Sequence, residues 1–156
     1  MTLLVHSAVG TIIGGALSAH PLLAFFSSFA SHFLIDMIPH GDSHVYARYK
    51  RKERVKHAIA IVVLDAAATI LFILFLFNTK IFASSLSVSL AIAGGILPDV
   101  LIAITEFYKP RWLIKYHAFH FYMHNFIVHR YKFEWSQLGG LGFQAVILYF
   151  LIGRIL

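Results

Sequence analysis

The stretch SHFLIDMIPHGDSH, Ser31 to His44, places His32, Asp36, His40, Asp42 and His44 within fourteen residues, all of them side-chain types that ligate divalent metals. His32 and Asp36 are four apart, so a helix sets them on one face. Pro39 disfavours helical backbone at Ile38. The run Pro39-His40-Gly41-Asp42 is therefore expected to turn just past a helix end and fold His40 and Asp42 back over the pair. Further along, His117, His120 and His124 have the spacing i, i+3, i+7 of a single helical stripe and resemble a row of zinc ligands. In GGILPD, Asp99 follows a flexible Gly94-Gly95 pair and an expected helix break at Pro98. His6 sits beside Gly10, Gly14 and Gly15, whose small size favours close helix packing and turns it inward. Plainer roles exist for each: a mutual hydrogen bond for His32 and Asp36, a lipid-facing surface for the histidine row, a helix cap for Asp99.

His6, His32, Asp36, His40, Asp42, Asp99, His117, His120 and His124 are too many ligands for one tetrahedral zinc. They suit two or more divalent ions sharing a bridging carboxylate. With no cysteine in the chain, the ions must be held by nitrogen and oxygen, which favours zinc, with manganese or iron as alternatives. Such ions activate water and neutralise phosphoryl charge, so the chemistry expected is phosphoester hydrolysis. Asp42, close by and on a flexible turn, is the expected general base. Asp65, His57 and Glu106 lie near enough to be second-tier candidates without a defined role.

The elements that must hold these residues are membrane helices. The chain of 156 residues is 59% hydrophobic and only 13% charged, against about 25% charged in a soluble domain. A single integral-membrane domain, 1–156, is expected: all-α and polytopic, with four to five transmembrane helices. The candidate spans are Leu3–Ala19, Pro21–Ile38, Ala58–Phe77, Ile81–Ile104 and Leu138–Leu156. The histidine row lies in a short amphipathic interfacial helix. A weak helical-hairpin repeat relates 1–44 to 52–105, with LLVHSAVG…LIDMIPH matched by RVKHAIAI…GGILPDV. No basic leader region or cleavage site precedes the first helix, which is expected to remain as an anchor. Six of the thirteen basic residues fall in the loop ARYKRKERVK, which the positive-inside rule places in the cytoplasm. The even number of crossings returns Lys109, Arg111 and Lys115 to that side and leaves the NTK turn, Asn78–Lys80, outside. The candidate ligands then converge on the cytoplasmic leaflet of the cell inner (cytoplasmic) membrane. The net charge of +6 is absorbed by that loop facing anionic headgroups, and no nucleic-acid-binding signature accompanies it.

The segments VHSAVGTIIGG, ASHFLIDMIPHGD, AGGILPDV and the H-x-x-H-x-x-x-H row together resemble the motif set of the membrane-bound metal-dependent hydrolases, a family distantly similar to zinc-dependent phospholipase C proteins. His6 and Gly10, Pro98 and Asp99, His120 and His124, and Ser31, His32 and Asp36 carry the resemblance. After Asp99 the chain reads Val-Leu-Ile, without the D-x-D-H continuation of the family, and its S-H-x-x-x-D element precedes L-P-D. The resemblance implies a metal-assisted hydrolase whose substrate is a phosphoester, plausibly a phospholipid headgroup reaching the site from the membrane. Two other classes fit the same residues: a divalent-metal binding or transport protein, and a membrane di-iron oxidase.

Overall fold

The computed structural model describes residues 1–79 and 81–156, and every regular element among them is helical. In chain order these are α1 (Leu3–Ala16), α2 (Pro21–Asp36), α3 (Ser43–Lys50), α4 (Val55–Thr79), α5 (Ser85–Tyr108), a 3₁₀ turn (Arg111–Leu113), α6 (Ile114–His124), α7 (Phe126–Tyr131) and α8 (Gln137–Ile155). Asn78 and Thr79 close α4, and the rest of the expected NTK turn, Lys80, lies outside the described residues.

The boundaries follow local chemistry. Pro21 takes the first position of α2, where its missing N–H costs nothing. Pro39 stops that helix, and Gly41 turns the chain at φ +86, a conformation cheap only for glycine. Ser84 and Ser136 cap α5 and α8 through their side chains, accepting from Ser87 N and Gly139 N.

Helix α5 is the centre, packing most extensively against α1 and α2. Backbone-to-backbone contact makes this possible: a Cβ on Gly14 would stand 2.5 Å from Val88 Cα, and one on Gly10 2.9 Å from the Ala91 carbonyl oxygen. At the far end from the histidines, Leu76, Val88 and Ile92 form a small apolar core beneath Phe72, Phe77 and Phe82.

Among the described residues three helices are long and apolar enough to cross a membrane: α4, α5 and α8, with mean hydropathies of 2.8, 2.0 and 1.6 over their most apolar windows. Ile59, Val62, Leu64, Ile70 and Leu74 of α4 all face outward, an arrangement compatible with a membrane protein. The first two expected spans are shorter than anticipated. At 14 and 16 residues, α1 and α2 reach about 21 and 24 Å at 1.5 Å per residue, less than the hydrocarbon thickness of about 30 Å.

Three further expectations change. Pro98 does not break α5, which runs through it. The Gly94 carbonyl loses its helical donor there, and the neighbouring Gly94 and Gly95 let α2 and α1 approach closely. Part of the basic loop is helical, with Arg48 and Lys50 in the last turn of α3, where cations favour the helix dipole. The amphipathic segment is divided at Asn125 into α6 and α7.

Candidate metal centre

His32, Asp36, Asp99 and His120 converge from α2, α5 and α6 so that one ligand atom from each lies within 4.8 Å of all the others. His32 Nε2 is 3.3 Å from Asp36 Oδ2 and 3.6 Å from Asp99 Oδ1. His120 Nε2 is 3.9 and 3.7 Å from the same two oxygens. The His32 tautomer is fixed by its other nitrogen. Nδ1 lies 2.8 Å from the Gly95 carbonyl oxygen, which can only accept, so Nδ1 carries the proton and donates it. In the neutral ring Nε2 is then a bare lone pair, fully buried and without a hydrogen-bond partner, facing two carboxylate oxygens. Lone pair against carboxylate is repulsive unless a cation or a proton stands between them. A backbone carbonyl orienting a histidine in this way is the usual outer support of a metal ligand.

The second group repeats the pattern. His40, Asp42 and His124 also bring ligand atoms within 4.8 Å of one another. His40 Nδ1 donates to the Ile38 carbonyl at 2.7 Å, leaving Nε2 bare. That nitrogen stands 3.1 Å from Asp42 Oδ2 without the alignment of a hydrogen bond. His124 Nε2 reaches the same oxygen at 3.3 Å. Asp42 occupies the N-cap position of α3, where aspartate commonly bonds the first turn's amides, yet its side chain makes no such bond. It is turned to the histidines instead. Burial alone would raise its carboxyl, but His124 and His40 hold it well below the usual carboxylate range. Burial likewise opposes charge on His124, and Asp42 outweighs it, raising the imidazole above its ordinary value. In the first group burial drives His120 down to about 3. Asp42 is thus held against His40 and His124, among groups that could hold a metal ion.

The two groups open into one cavity of about 180 Å³, lined among others by Asp36, Asp42, Tyr46, Asp99, His120 and His124. At roughly 30 Å³ per water, this holds ions with a few waters or a headgroup's phosphate, not a bulky ligand. The donor set fits divalent cations. Two imidazoles and two carboxylates balance one such ion, in the closed four-ligand arrangement of a resident site. Two imidazoles and one carboxylate leave a net positive charge and an open position, the pattern of catalytic zinc sites. The expected carboxylate bridging two ions is not seen in these groupings: Asp36 and Asp99 belong to one and Asp42 to the other.

The remaining candidates have other partners. His6 Nε2 meets Asp36 Oδ1 at 2.9 Å, on the oxygen pointing away from His32 and His120. The Met1 amine contacts that oxygen too. His6 therefore meets the far oxygen of Asp36 and is in neither group. His117 lies apart as well, 2.9 Å from Glu106 Oε1. Tyr46 Oη and Lys50 Nζ meet the same carboxylate at 2.7 and 3.0 Å. Asp65 accepts the Leu3 and Leu4 amides at 2.7 and 3.3 Å, satisfying the otherwise unpaired N-terminus of α1. His57 pairs with Gln137 between α4 and α8, and His44 is exposed.

Sequence reasoning missed the groups that hold the second site in place. Glu134 accepts from Gly41 N at 2.7 Å and Ser43 Oγ at 2.6 Å. Gln144, buried on α8, accepts from Thr2 N and donates to the His40 carbonyl. No spacing signal marks either; Gly140 alone, whose Cβ would run into the His40 carbonyl, hints that α8 approaches the turn closely.

Comparison with protein-family models, curated proteins and solved structures finds no match to this chain. The resemblance to the membrane-bound hydrolases rests on its short motifs alone.

Proposed function

We propose that this chain is a membrane-bound, metal-dependent phosphoester hydrolase with two divalent ions, most plausibly zinc, and a lipid headgroup phosphate as substrate. The observation that carries the reading is the pair of oriented histidines, His32 and His40. Each donates Nδ1–H to a carbonyl and leaves a buried, unpartnered Nε2 among carboxylates. A bound divalent ion at an open site lowers the pKa of water toward about 7 and offsets charge on a phosphoryl group.

In this reading His32, Asp36, Asp99 and His120 hold the closed ion, while His40, Asp42 and His124 hold the ion that faces substrate. Asp99, partly exposed and lining the cavity, is the carboxylate best placed to take a proton from water there. The lipid source is supported by the surroundings of α6. Phe107, Tyr108, Trp112, Tyr131 and Trp135 are exposed there, beside the exposed Lys109, Arg111, Lys115, Arg130 and Lys132. Aromatic and basic residues together are the signature of a membrane interface, and the basic ones support a site at the cytoplasmic leaflet of the inner membrane. The use of Asp65 on α1 amides argues against transport, which calls for acids free to line a path through the membrane.

The test is metal content and hydrolysis on detergent-purified protein, prepared without chelators, with His32→Ala/Asp36→Ala alongside. Two zinc or manganese ions per chain, falling in the double variant together with release of phosphorylated headgroups from phospholipid vesicles, is the expected result. Two iron ions would move the assignment to oxidase chemistry. Protein that binds no metal at all would overturn the reading.

A further inference from the structure

His40 and Asp42 lie on a turn between α2 and α3, not on a helix. Such a turn has few hydrogen bonds of its own, so something else must fix it if two of its residues are to share an ion. Glu134, in the irregular stretch between α7 and α8, does this with both carboxylate oxygens. One accepts Gly41 N–H and the other the Ser43 hydroxyl. Gly41 and Ser43 are the two neighbours of Asp42. One carboxylate therefore holds the backbone before the ligand and the side chain after it, without touching the ligand's own oxygens.

Building on the metal-centre reading above, we propose that Glu134 is the positioning residue of the His40–Asp42–His124 site and sets the affinity of that site selectively. Selectivity follows from construction. The other group stands on the regular helices α2, α5 and α6 and makes no bond to Glu134, whereas the three-ligand site relies on a turn with a positive-φ glycine at its centre. Charge acts in the same direction. An ion held by two imidazoles and Asp42 carries one net positive charge, and Glu134 places the compensating negative charge one bond further out. Outer partners of this kind are worth about 10–100-fold in metal affinity.

The experiment is a cobalt(II) titration of the metal-stripped, detergent-solubilised full chain. It is followed by visible absorption of the bound ion and by metal content. Wild type should take up two equivalents. In Glu134→Ala the weaker equivalent should lose about 10–100-fold in affinity while the tighter one is unchanged. Glu134→Gln keeps an acceptor for Gly41 N–H but offers an amide N–H₂ to Ser43, and should fall between. His40→Ala, which removes a ligand outright, should abolish the same equivalent and spare the other. Unchanged binding of both equivalents in Glu134→Ala overturns the proposal. So does equal weakening of both in Glu134→Gln, since that is the mark of a merely structural role. Wild type that binds no cobalt removes the metal-centre reading and this proposal together. Wild type that binds a single equivalent, shared by Glu134→Ala, removes the proposal alone.

Discussion

Replacing His6 by phenylalanine separates a residue that orients a ligand from one that is a ligand. The imidazole stacks on His32 with ring centroids 4.0 Å apart and planes inclined by 24°, so an aromatic replacement keeps the packing. What is lost is the 2.9 Å bond from Nε2 to Asp36 Oδ1. A hydrogen bond to a charged group is worth about 1.5–3 kcal/mol, and outer partners of metal ligands are worth about 10–100-fold in affinity. The two figures agree, since tenfold is about 1.4 kcal/mol. The tighter zinc equivalent in His6→Phe should therefore weaken by about 10–100-fold in competition with a chelating indicator. Glutamine places an amide nitrogen near the position of Nε2 and can donate to the same oxygen. His6→Gln should stay within a few-fold of wild type. Loss in His6→Gln as large as in His6→Phe would mean that His6 binds the ion directly. Retention in His6→Phe would mean that Asp36 needs no orientation.

Alanine at Gly14, where a Cβ would meet Val88 Cα, should destabilise the detergent-solubilised protein by about 1–3 kcal/mol. Alanine at Gly15, which has nothing within 4 Å, should be neutral or stabilise by up to about 1 kcal/mol in thermal melts. Acidification should release the ions in order. The His124 imidazole, raised by Asp42, takes a proton first as pH falls, so the three-ligand equivalent leaves before the other. His120, held near 3, stays neutral, so metal content measured from about pH 8 to about pH 5 should fall by one equivalent while the other is retained. Stripping both ions should lower the melting temperature, since a ligand at 1,000 times its Kd contributes about 4.1 kcal/mol. Equal melting with and without chelator would contradict this.

The ligand residues were legible because their types are costly in an apolar chain. Their pairing was not. His117, His120 and His124 share one stripe, but seven residues of helix span about 10.5 Å, too far to converge on one ion. Each histidine instead meets whatever lies opposite at its own level: Glu106 for His117, Asp36 and Asp99 for His120, Asp42 for His124. Those partners come from α5, α2 and the turn before α3, and local spacing carries no information about that register. The same reason hid Glu134, a single acid in a polar connection. Its importance appears only when the turn at Gly41 is brought against it.

The helices themselves were read well where hydropathy alone decides, as in α4 and α8, and less well where a polar site competes. Pro98 would normally end or kink a helix. Here α5 continues because its interior is spent on close approach to α1 and α2, and Asp99 needs the helix to be carried to the level of His32 and His120. α1 and α2 are shorter, with His6 near the start of α1 and His32 and Asp36 at the end of α2.

Charge explains why so many elements meet at one point. Buried Asp36 takes its counter-charge from the Met1 amine, while the partly exposed Asp42 and Asp99 face histidines. In the proposed metal-bound state, three carboxylates and the Met1 ammonium on Asp36 against two divalent cations would leave two positive charges, with Glu134 beside the three-ligand site. A phosphate monoanion entering the cavity would compete with Glu134 for that charge while the ions stay in place. The turn carrying His40 and Asp42 is then the part of the site most sensitive to the state of the cavity, because it is the only ligand-bearing segment held by side chains and not by helix. The four-ligand group, fixed between α2, α5 and α6, ties the first half of the chain to the second and acts as the stable reference against which that turn is set.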